Sequence, residues 1–118
     1  MFGRLAPAIV AYHAAFIMVA VHFGAVVLQG GSPVVPELYG AAVYEIPAMT
    51  WVTIQMLTHG LAALGGALHR PALCLLGSLA AGALHAIFVA LSLSAPHGTL
   101  LAAGSMWLGV GLSSFTAI

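Results

Sequence analysis

Only four side chains of this chain carry a fixed charge: Arg4, Glu37, Glu45 and Arg70. They leave three long stretches with none at all, 5–36, 46–69 and 71–118. Uncharged apolar stretches of that length belong in a bilayer or deep inside a large soluble fold. A chain of 118 residues with 3% charged and 63% hydrophobic side chains cannot build the polar shell a soluble fold needs. Inside lipid no water satisfies the backbone, so only helices or closed barrels can cross it. The polar–apolar alternation of barrel strands is absent, which leaves helices.

The expected fold is therefore an all-α integral membrane protein forming a single domain over 1–118. Four transmembrane helices, at about 5–28, 47–69, 71–94 and 99–118, would make a small up-down bundle. The first run, at 1.5 Å per residue, is long enough for a hydrocarbon core of about 30 Å and too long for the apolar region of a signal peptide. Pro7 falls in its first turn, where a missing N–H does little harm. Gln29-Gly30-Gly31-Ser32-Pro33 ends it. The segment 33–46 holds both glutamates, Tyr39, Tyr44 and two prolines, and reads as an interfacial loop with a short helix. Arg70-Pro71 and Ala95-Pro96-His97-Gly98 supply the two remaining turns.

Arg4 and Arg70 fall on one side of this topology and both glutamates on the other. The bias of positive residues toward the cytoplasm then puts both termini in the cytoplasm, with the protein in the inner or cytoplasmic membrane. In lipid, helices associate through close backbone approach and polar contacts. Small residues recur four apart at Ala62 and Gly66, at Ser78, Gly82 and Ala86, and at Ser105, Gly109 and Ser113, which are candidate interfaces. Cys74 has no second cysteine to pair with and reads as a small apolar residue of a helix.

Four of the six histidines lie inside spans: His13, His22, His59 and His85. Measured from the end that bears Arg4 and Arg70, they sit at depths of about 12, 26, 15 and 21 Å. Depth alone pairs His13 with His59 and His22 with His85. His13 and His22 are nine residues apart and so face opposite sides of one helix, which prevents both pairs from sharing one centre. Neutral imidazole ligates haem iron, the magnesium of chlorophyll and copper, so these four residues are the candidate cofactor ligands, with haem b, chlorophyll or copper as candidate cofactors. Met18 with His22 and Met56 with His59 lie at helical spacing and add thioethers suited to Cu(I). A plainer account has each ring hydrogen-bonded to a neighbour such as Gln55, Thr58 or Ser78.

No esterase elbow, zinc-protease motif, phosphate loop or carboxylate within a span is present, so no catalytic activity of its own is expected. With no basic patch, nucleic acid is not a partner. In length and number of spans the chain resembles small multidrug transporters, but their first span carries a carboxylate where this one has only His13 and His22. The expected function is that of a non-catalytic membrane subunit, of respiratory or photosynthetic type, whose partners are the lipid bilayer and other transmembrane subunits or further copies of itself. Two alternatives are a cofactor-binding electron-transfer or light-harvesting subunit and a holin-like pore former.

Overall fold

A computed structural model describes residues 2–31 and 47–94, which form three helices: α1, Phe2–Leu28; α2, Ala48–Ala67; and α3, Pro71–Ser94. The expected loop over 33–46, with Glu37 and Glu45, the turn at His97 and the fourth span at 99–118 lie outside the described residues. Two helices are long and apolar enough to cross a membrane, Phe2–Leu28 and the Pro71–Ala90 part of α3. The third, α2, is not among them, because Thr50, Thr53, Gln55, Thr58 and His59 lower its apolarity.

The ends of α1 and α2 and the start of α3 have local causes. Gly30 closes α1 with φ 80°, and the N–H groups of Gly30 and Gly31 donate to the carbonyls of Val27 and Val26, both at 2.9 Å. This is the paired bonding of a Schellman cap, with glycine at its left-handed position. The same motif ends α2 on a less usual residue. The N–H of His69 reaches the Gly66 carbonyl at 3.2 Å and that of Arg70 the Gly65 carbonyl at 2.8 Å. His69 therefore holds φ 53° without being glycine, and its Nδ1 donates back to the Gly66 carbonyl at 3.1 Å. Arg70 then caps α3 through a 3.1 Å bond from the Cys74 N–H, with Pro71 at the first helical position. At the start of α1 the helix begins at Phe2, so Pro7 lies beyond the first turn, and the carbonyl its ring crowds belongs to Gly3.

The helices run antiparallel in sequence order, with α2 between the other two. Gly66 packs beside Ala6, Ile9 and Val10 of α1, and Gly24 faces Val52. On the other side of α2, Gly65 meets Cys74 and Ala62 meets Gly77, backbone against backbone. A Cβ at Gly77 would lie 2.7 Å from the Ala62 Cα, and one at Gly65 2.7 Å from the Cys74 Cα. Ala62 and Gly66, expected to share one interface, thus serve two: Ala62 faces α3 and Gly66 faces α1. In α3, Ser78 and Gly82 are buried, whereas Ala86 is exposed. The close backbone contacts come from Cys74, four residues before Ser78, and from Gly77, one position off that stripe, where Ala81 is also fully buried.

Candidate functional site: a buried histidine cluster

The largest side chains with no exposed surface include two imidazoles, those of His13 and His59. His13 lies near the middle of α1 and is turned inward on the same face as Ala6, Ile9, Ala20 and Gly24. His59 belongs to the α2 face that carries Val52 and Gly66. The antiparallel pairing brings the two rings together, Nδ1 to Nδ1 at 2.8 Å, so one must donate and the other accept. The second nitrogen of His13, Nε2, lies 3.2 Å from the Ser78 hydroxyl of α3. Ser78, anticipated as a hydrogen-bonding neighbour, is fully buried and hydrogen-bonded to the Cys74 thiol four residues earlier.

His85 extends the cluster. Its ring centroid lies 5.2 Å from that of His59, and the ring is buried. Phe16 covers both: it stacks flat on His59 at 4.6 Å with 5° between planes, and meets His85 at 4.8 Å. Tyr12 packs edge-on against His13 at 4.8 Å. Neither aromatic was singled out from sequence, although Phe16 follows His13 by three residues and so shares its helix face.

Three of the four span histidines therefore form one group: His13, His59 and His85. Depth counting set His85 beside His22, but His22 is exposed on the outer side of α1, as its nine-residue separation from His13 requires. Helical side chains lean toward their own N-terminus. On the antiparallel α2 and α3, His59 leans away from the connecting turn and His85 toward it, and this closes the difference in height between them. Met18 is exposed beside His22 on the outer surface, and Met56 is exposed while His59 is buried. Neither thioether points into the cluster.

Nε2 of His59 is buried and has no hydrogen-bond partner among the described residues. Among those residues no three His, Cys, Asp or Glu side chains converge as metal ligands. Comparison with known protein families, curated proteins and solved structures finds nothing that matches this chain. The chemistry available is thus that of neutral imidazoles in an apolar interior: hydrogen bonding between helices, and ligation through a lone pair.

Proposed function

We propose that the chain is an integral membrane protein with four spans that packs as a non-catalytic subunit into a larger membrane assembly, of respiratory or photosynthetic type. The observation that carries this reading is an inverted distribution of polarity. Met18 is 71% exposed, Leu57 67% and Leu28 79%, while His13, His59 and Ser78 have no exposed surface. Water would favour the reverse, since burying polar groups costs free energy and burying leucine gains about 1.5–3 kcal/mol. Lipid removes the second term and leaves polar contacts as the glue between helices.

Arg4 and Arg70, both exposed, share one end of the bundle, because Ala6 packs beside Gly66 near the α2–α3 turn. In the positive-inside sense that end faces the cytoplasm. Support for a partner comes from α2, whose Thr50 is exposed and whose Gln55 is half-buried, whereas the exposed Thr53 hydroxyl donates to the Met49 carbonyl of its own helix at 2.8 Å. Polar side chains in such positions are better covered by protein than by lipid.

The experiment is extraction of the tagged full chain from its native membranes in a mild detergent, followed by native electrophoresis and subunit identification. The reading expects one band of fixed stoichiometry with other membrane proteins. A chain that migrates alone or only with copies of itself, or one recovered in the soluble fraction, contradicts it.

A further inference from the structure

The hydrogen bonds around His59 determine what its exposed-to-nothing nitrogen can do. A single proton lies between the two Nδ1 atoms, so the tautomers of His13 and His59 are linked. In one arrangement Ser78 donates to His13 Nε2, His13 donates to His59, and His59 is left with a buried Nε2–H. In the other, His13 Nε2–H donates to Ser78, His59 Nδ1–H donates to His13, and His59 Nε2 keeps a lone pair. A buried N–H without an acceptor is the rarer and costlier feature. Ser78 also has the Cys74 thiol as an outlet for its own proton. Both considerations favour the lone pair.

A buried imidazole lone pair, on a ring whose other nitrogen is fixed by a hydrogen bond, is the arrangement in which proteins present histidine to a metal. His85 is the neighbouring donor, with its ring 5.2 Å away, and Phe16 covers the two rings together. The choice of ion follows from charge and ligand number. No set of three ligating side chains converges among the described residues, which does not suit four-coordinate zinc. Neutral ligands in an apolar interior do little to offset a divalent charge, and the cost of burying an ion rises with the square of its charge. A cuprous ion is monovalent, soft and satisfied by a pair of ligands.

We propose that His59 Nε2 and His85 bind one cuprous ion between α2 and α3, with His13 and Ser78 as positioning residues that hold the tautomer of His59. Ligation uses a lone pair already present, so no proton leaves and no redox step is required. The site goes beyond the assembly role and does not depend on it: copper binding is read on the isolated chain, partner binding in native membranes.

The test is anaerobic titration of the purified full chain in detergent with Cu(I), in competition with a chromophoric cuprous chelator. One equivalent should bind, and Zn(II) at the same concentration should not be retained. His59→Asn keeps an amide at the Nδ1 position for His13 but has nothing at Nε2, and should weaken binding by more than Ser78→Ala, which should weaken it about 10-fold. Met18→Leu and His22→Ala, on the outer surface, should leave it unchanged. Independently of any variant, ¹⁵N spectra of the histidine-labelled chain should show an unprotonated His59 Nε2 that shifts on adding Cu(I). Absence of copper binding, equal retention of zinc, insensitivity to His59→Asn, loss on Met18→Leu or His22→Ala, or an unmoved His59 Nε2 would each overturn the proposal.

Discussion

Nδ1 of His13 and Nδ1 of His59 meet at 2.8 Å inside the bundle, and through Nε2 the same His13 ring reaches Ser78 at 3.2 Å. One side chain thus ties α1 to both other helices. In lipid, where apolar contact between helices gains little over contact with acyl chains, such polar ties carry much of the specificity of association.

Replacing His13 by alanine removes both ties and leaves His59 Nδ1 buried without its partner, while Ser78 keeps its bond to the Cys74 thiol. The expected loss is about 2–4 kcal/mol, combining an unsatisfied polar group with a cavity. Ser78→Ala removes the contacts to His13 and to the Cys74 thiol and should cost about 1–2 kcal/mol. Reversible unfolding in mixed micelles measures both. A double-mutant cycle across His13 and His59 should give a coupling of about 0.6–1.7 kcal/mol, the range found for hydrogen bonds between membrane helices. A coupling of zero would mean that the 2.8 Å contact contributes nothing.

The α2–α3 hairpin should be intolerant of a single methyl group at Gly65 or Gly77. A Cβ at Gly77 would meet the Ala62 backbone, and one at Gly65 that of Leu73 and Cys74, where no flexible side chain can give way. Alanine at either position should destabilise by about 1–3 kcal/mol or more. Gly60, with nothing within 4 Å of its would-be Cβ, is the control. Gly60→Ala should be neutral or stabilising by up to about 1 kcal/mol from helix propensity. Thermal midpoints of the three variants would test the ordering.

His69 holds φ 53° at a position where the Schellman cap favours glycine. His69→Gly removes strain worth about 1–2 kcal/mol and loses the side-chain bond to the Gly66 carbonyl, at an exposed site where such a bond contributes less. A net gain below about 1 kcal/mol is expected, read as a rise in the unfolding midpoint. A fall would show that the Nδ1 contact outweighs the strain.

Much of the helical layout was legible because charge and proline mark its limits. The expected 5–28, 47–69 and 71–94 correspond to Phe2–Leu28, Ala48–Ala67 and Pro71–Ser94, since Gly30, His69 and Pro71 punctuate the chain where the caps form. That His13 and His22 face opposite sides of α1 also follows from helical spacing, whereas which of them turns inward does not. The joining of His85 to His59 did not, because counting residues gives height along a helix and neither the direction in which a side chain leans nor the offset between neighbours. For the same reason Ala62 and Gly66 looked like one seam. They lie on adjoining parts of a helix that has neighbours on two sides, and spacing alone does not separate those sides.

The most direct test of the whole account is where the exposed apolar side chains face. Spin labels would be placed singly at Met18, Leu57 and Leu76, all exposed, in a Cys74→Ala background and reconstituted into lipid vesicles. Relaxation by oxygen, which concentrates in lipid, would be compared with relaxation by a water-soluble nickel complex. A bundle that hides His13, His59 and His85 and shows its leucines to lipid or to apolar partner helices predicts that none of the three labels is reached by nickel, and that those facing lipid are reached by oxygen. Nickel access at these positions would place them in water and contradict the account.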